Sequence, residues 1–263
     1  MSDRAVQDTI IRALADAPFR GSPEWRTREL ANQDRVDRFA RFLARHFYYE
    51  RLVHFFKYSR ALARVTGRQP EEVLTGTAFE ALFPTLVLGS RASAVAVALL
   101  AADHVRAGGG ASAEVPYLED LLSYEQAMMV VESGARVWRD GVSEGSALRK
   151  QWSVPMRVEG TMLLDLAYDL PAVLPRLLQP WTDVPPPTPQ PPRRPTRLLV
   201  ARSSHGRVSV ARTSTAIATL LELADGRKSL DDLAREAGLR PAELEATLEE
   251  LVEIGAVRFS TGS

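Results

Sequence analysis

The sequence predicts a mainly α protein with small β elements, built in two folded parts. Three observations carry this. Up to about residue 135, apolar residues recur at helical spacing. Eight of the 17 prolines fall between Pro180 and Pro195. From Thr196 the pattern restarts with short alternating runs. The expected layout is a helical domain over 1–135 and a strand-containing segment over 136–182 that completes the N-terminal body. A proline-rich linker over 183–195 and a separate small domain over 196–263 follow.

Helical signals come first. Val6, Ile10 and Leu14 recur every four residues, and Pro18 ends the segment. Ser22 and Pro23 suit the N-cap and first turn of the next helix. From Gln33 to Thr66, Val36, Phe39, Leu43, Phe47, Leu52, Phe55, Phe56 and Leu62 give one long helix a broad apolar stripe, with Gly67 as its stop. Thr77 and Glu80 are spaced as a capping box. Ser90–Ala107 reads as a helix stopped by "GGG", and Pro116 opens another. "GTMLLDLAYDL" then suggests a strand and "PAVLPRLLQPW" a short helix. The prolines that follow favour stiff, extended polyproline II, hence a spacer.

Beyond the spacer, "TRLLVARSSHGRVSVARTS" is two alternating runs around a Ser-Ser-His-Gly turn, a hairpin. Three helices follow: "STAIATLLELADG", "LDDLAREAG" capped by Ser229, and "RPAELEATLEELVEIG" with Pro241 in its first turn. "AVRF" closes as a strand. This order predicts a winged-helix-like module.

Composition narrows the function. The 263 residues are 45% hydrophobic and 25% charged, a globular balance. With no cysteine, the chain has no disulfide, thiolate metal site or thiol chemistry. Asp3, Arg4, Asp8 and Arg12 rule out a signal-peptide pattern in "MSDRAVQDTIIRALADAPF", and "SAVAVALLAADHV" is too short to span a bilayer. The expectation is a soluble cytoplasmic protein.

Net charge is zero, and residues 196–263 hold nine Arg/Lys against ten Asp/Glu. The third helix of the small domain carries Glu243, Glu245, Glu249, Glu250 and Glu253, with no Lys or Arg from Pro241 to Ile254. A DNA-reading helix needs the opposite sign. A basic or apolar peptide is the better partner, added as a strand at a hairpin edge. Arg202, Arg207 and Arg212 offer the hairpin countercharges for acidic residues of such a peptide.

Other motifs carry less. "GVSEG" at 141–145 matches a nucleophile elbow, but the charged "ARVWRDG" before it is no buried strand. His46 and His54 are eight apart, not at the i, i+4 spacing of a helical metal pair, and His104 and His205 stand apart. No catalytic or metal-ligating set is predicted. "RHFYYERLVHFFKYSR" interleaves Arg45, Arg51, Lys57 and Arg60 with aromatic residues that go nearly all round the helix. That predicts a core face plus an interface face rather than a nucleic-acid site.

Two stretches carry a resemblance. "STAIATLLELADGRKSLDDLAREAGLRPAELEATLEELVEIGAVRF" resembles the PqqD-like precursor-recognition elements of ribosomal peptide-modifying systems. "VPYLEDLLSYEQA" and "LLDLAYDLPAVLPRL" resemble segments of the partner proteins of multinuclear non-heme iron-dependent oxidative enzymes. The layout is most similar to the thiaglutamate-pathway partner. The resemblance implies a non-catalytic subunit with no cofactor of its own. It would bind a precursor peptide and present it to a separate iron-containing TIM-barrel enzyme that alters a cysteine. By position, the peptide would pair with Val208, Val210 and Arg212, or with Leu198, Val200 and Arg202, and pack near Glu243, Thr247 and Glu250. A transcription regulator with a helical sensor domain is the other reading.

Overall fold

A computed structural model of the chain describes residues 3–28, 32–108, 114–133, 153–178, 188–203 and 205–261. It is mainly helical with small antiparallel sheets, as the sequence predicts. The chain divides into two compact units, Met1–Ser133 with Leu170–Pro192 and Gly134–Asp169 with Arg193–Ser263. No described helix is long and apolar enough to cross a membrane.

The first unit opens with α1 (Asp3–Ala15), α2 (Ala17–Gly21) and α3 (Pro23–Arg26). Asp16 caps α2 by accepting from Phe19 N at 2.9 Å, and Ser22 caps α3 by accepting from Trp25 N at 3.3 Å. α4 (Gln33–Phe55) turns Ala40, Ala44, Tyr48, Leu52 and Phe55 inward, about one residue per turn. Burying each of the three large ones contributes roughly 1.5–3 kcal/mol before chain entropy.

The long helix expected over 33–66 is instead three: α4, α5 (Lys57–Ala61) and α6 (Ala63–Thr66), broken at Phe56 and Leu62. The first break has a partner from far along the chain. Glu125, fully buried, accepts from Tyr58 N at 2.7 Å and Ser59 N at 3.1 Å and also bonds the Ser59 hydroxyl. Those two amides open α5 and have no partner within it, so a distant carboxyl group serves as the cap. Gly67 ends α6 in the left-handed region.

A 3₁₀ turn (Pro70–Thr75), α7 (Thr77–Leu82) and a second 3₁₀ turn (Phe83–Thr85) lead to α8 (Arg91–Arg106) and α9 (Leu118–Glu132). The expected Thr77–Glu80 capping box does not form. Gly76 holds the cap position, and Arg41 and Arg45 of α4 take Glu80. A box forms instead at the first 3₁₀ turn, where Gln69 N donates to Glu72 at 3.2 Å. The helix expected over Ser90–Ala107 forms, with Ser90 as its cap. Ala94, Ala98, Ala101 and Ala102 of α8 are buried, and such small side chains let it approach α9 closely. A 3₁₀ turn (Leu170–Ala172) and α10 (Leu174–Leu177) complete the unit.

The end of the proline tract belongs here too. Pro189 and Pro191 are buried, and Gln190 Nε2 donates to Glu114 O at 3.4 Å. Residues 188–192 are therefore packed chain rather than free spacer. Residues 179–187, with four of the eight prolines of the tract, lie outside the described residues, as does "GVSEG".

The second unit holds all the described strands. β1 (Ser153–Arg157) pairs antiparallel with β5 (Val257–Thr261), and β2 (Met162–Leu166), β3 (Thr196–Arg202) and β4 (Val208–Arg212) form a three-stranded sheet in that order. α11 (Thr215–Leu223), α12 (Leu230–Ala237) and α13 (Pro241–Glu253) follow the hairpin as expected. Ser214 and Ser229 cap the first two.

The expected boundary at the proline tract is corrected. Residues 136–182 were placed with the N-terminal body, but β1 and β2 complete the sheets of the second unit. The reason is unmet backbone hydrogen bonding. A two-stranded hairpin with a lone fifth strand leaves β3 and β5 with open ladders, and β2 and β1 fill them. β1 is held on both sides. Arg157 N donates to Ala224 O at 2.8 Å and Gly226 N to Pro155 O at 3.1 Å, opposite its ladder with β5.

Leu199 and Ala201 of β3 pack on Leu220, Leu221, Leu233, Leu244, Leu248 and Leu251 from the three helices. Gly255, after α13, has φ +81, and a Cβ there would collide with the Arg202 carbonyl. Only glycine lets the end of α13 come so close to β3.

Candidate functional site: the open edge of the three-stranded sheet

Two hydrogen bonds set the alternation of the β3–β4 hairpin. Ser203 N donates to Arg207 O at 2.8 Å, and Thr213 N donates to Arg197 O at 3.0 Å. In an antiparallel ladder, bonded pairs alternate with unbonded ones. The pairs Arg202↔Val208, Val200↔Val210 and Leu198↔Arg212 are therefore the unbonded set. The backbone N–H and C=O groups of Val208, Val210 and Arg212 turn away from β3, toward an edge with no paired strand among the described residues. An added strand would bond to these three residues.

The same alternation removes β3 from the site. The outward groups of Leu198 and Val200 face β2, whose Leu164 and Met162 stand opposite them. Both side chains are fully buried. The expected alternative, a peptide paired at Leu198, Val200 and Arg202, is ruled out for the two inner residues because β3 is the central strand. β2 is the sheet's other edge, but Leu164 and Leu166 are buried, whereas β4 is half-buried or exposed throughout. Val210 is the exposed apolar side chain of β4.

The arginines are more committed than the sequence suggests. Arg212 Nη2 donates to Asp169 Oδ1 at 2.6 Å, and that carboxylate is nearly buried. Arg202 Nε donates to Gly206 O at 3.3 Å across the turn. Asp169, the Asp of "LAYDL", was not singled out from the sequence. A polar residue at a strand's end gives no signal of where its partner lies.

On α13, Leu244, Leu248 and Leu251 face the core, while Glu243, Glu245, Glu249, Glu250 and Glu253 are all exposed. Thr247 is half-buried between them. Arg240, just before the helix, pairs with Glu243 and holds that carboxyl below the usual range. No protein-family model matches this chain. No curated protein matches it either.

The histidines are scattered. His46 lies 3.3 Å from Glu50, His54 packs edge-on against Phe55, and His205 is exposed in the hairpin turn. His104 bridges Arg68 and Glu72, each at 3.2 Å. Among the described residues, no three His, Cys, Asp or Glu side chains converge as a metal site.

Proposed function

We propose that this chain is a non-catalytic cytoplasmic subunit that binds a ribosomally made precursor peptide as an added strand on β4. It presents that peptide to a separate iron-dependent TIM-barrel enzyme, which modifies a peptide cysteine. The observation that carries the peptide half is the open β4 edge, with the backbone groups of Val208, Val210 and Arg212 turned outward. The acidic face of α13 favours a basic or apolar peptide and opposes a nucleic-acid phosphate backbone. The enzyme half rests on the resemblance of "VPYLEDLLSYEQA" and "LLDLAYDLPAVLPRL" to the partner proteins.

Val210→Pro tests the edge. It removes an N–H that the β3–β4 ladder does not use, and proline is tolerated on edge strands. Peptide affinity, measured by calorimetry with the genetically linked precursor, should fall about tenfold or more, with thermal stability little changed. Unchanged affinity removes β4 from the site. Glu249→Lys together with Glu250→Lys should weaken a basic peptide several-fold; an unaffected dissociation constant takes α13 out of the groove. Salt-sensitive binding to duplex DNA, with no peptide affinity, would make the chain a transcription regulator instead.

A further inference from the structure

α4 carries aromatic residues on two sides. Tyr48 and Phe55 are buried, but Phe39, Phe42 and Tyr49 are 49%, 61% and 46% exposed. At about 100° per residue, Arg38, Phe39, Phe42, His46, Tyr49 and Glu50 fall within an arc of about 120° and span about 18 Å. Phe42 stacks on Phe39 with centroids 6.3 Å apart and on His46 at 6.2 Å. The result is a continuous ring surface in water, whereas isolated exposed apolar side chains are ordinary. Its ends differ in sign. Arg35 and Arg38 stand at the N-terminal end and Glu50 at the other.

We infer that this face pairs with the same face of a second copy of the chain, the two α4 helices running antiparallel about a twofold axis between Phe42 and His46. Helical geometry decides the direction. With the axis level with residue 44, Arg38 falls beside Tyr49 of the second copy, a cation next to an aromatic ring. Phe39 falls beside His46 and Glu50, and Phe42 beside His46. The basic end of each helix lies over the end that carries Glu50, and the two helix dipoles oppose. A parallel pair would set Arg35 and Arg38 against themselves. A face one helix wide and about 18 Å long is smaller than a standard specific interface, so the pair is a weak association. This inference stands apart from the peptide-binding reading.

Sedimentation velocity on the full chain, from low to high micromolar concentration, tests it. The wild type should shift from monomer to dimer. Phe42→Glu should weaken that shift at least about tenfold while leaving helical circular dichroism intact, because the side chain is exposed. The chain has no native cysteine, so single cysteines report direction cleanly. An Arg38→Cys chain mixed with a Tyr49→Cys chain should oxidise mainly to the mixed disulfide. A monomer at every concentration, a dimer indifferent to Phe42→Glu, or preferential Arg38→Cys homodisulfides would each overturn the proposal.

Discussion

A fragment that starts at Thr196, just past the proline tract, will be unfolded on its own. It keeps the hairpin, three helices and β5 but loses β1 and β2. Every residue of β5 loses its ladder partner, from Val257↔Arg157 to Thr261↔Ser153. β3 becomes an edge, and Leu198 and Val200, now fully buried, lose Leu164 and Met162 beside them. Exposing two such side chains costs roughly 1.5–3 kcal/mol each. A core in a chain of this length rarely supplies more than about 3–5 kcal/mol in all. The fragment should give a collapsed amide spectrum and no cooperative melt. Joining 153–169 to 193–261 through a short flexible linker should restore both. A cooperative transition in the fragment alone would show that β1 and β2 are accessories.

The second large effect lies at Glu125. Burial raises its pKa to about 8, against the lowering pull of its bonds to Ser59 and Tyr58. Glu125 Oε1 accepts both amides, and the Ser59 hydroxyl donates to the other carboxyl oxygen. Because the folded pKa lies above the unfolded value of 4.5, the group's contribution is full below about 4.5 and is lost as pH rises through about 8. The difference corresponds to roughly 4–5 kcal/mol at most. Glu125→Gln keeps an uncharged acceptor for both amides, and the Ser59 hydroxyl can turn to accept from its NH2 group. It should match the wild type near pH 5, exceed it near pH 8, and flatten the dependence between them in denaturant titrations. Glu125→Ala leaves two buried amides and a hydroxyl without partners, and should cost about 3 kcal/mol or more at any pH. A Glu125→Gln chain with the wild-type pH profile would place the titrating group elsewhere.

These two sites also mark where the sequence was and was not legible. Caps at Ser22 and Ser229 were readable because the capping residue precedes its helix directly. The hairpin and the apolar stripe of α13 were readable for the same local reason. The break at Phe56 was not, because its cap lies on α9. Nor was β1, since "SVPMR" is short and its partner strand lies near the far end of the chain. For the candidate site, the outward set Val208, Val210 and Arg212 could be named from the alternation of β4. The exclusion of Leu198 and Val200 could not, because it depends on a strand that precedes the proline tract. The arginines looked free in sequence, since nothing in "LAYDL" points to Arg212.

The β1–β5 pair sets an order of folding. About a hundred residues separate the two strands, so their pairing carries a high loop-closure cost and comes late. The helices of the first unit rest largely on nearer contacts and can form early. Until β5 arrives, β1 waits with an unpaired edge, the form of chain most prone to joining a neighbour's strand. The arrangement that closes the second unit also makes that unit the slow step of its own assembly, and the one most in need of a chaperone during synthesis.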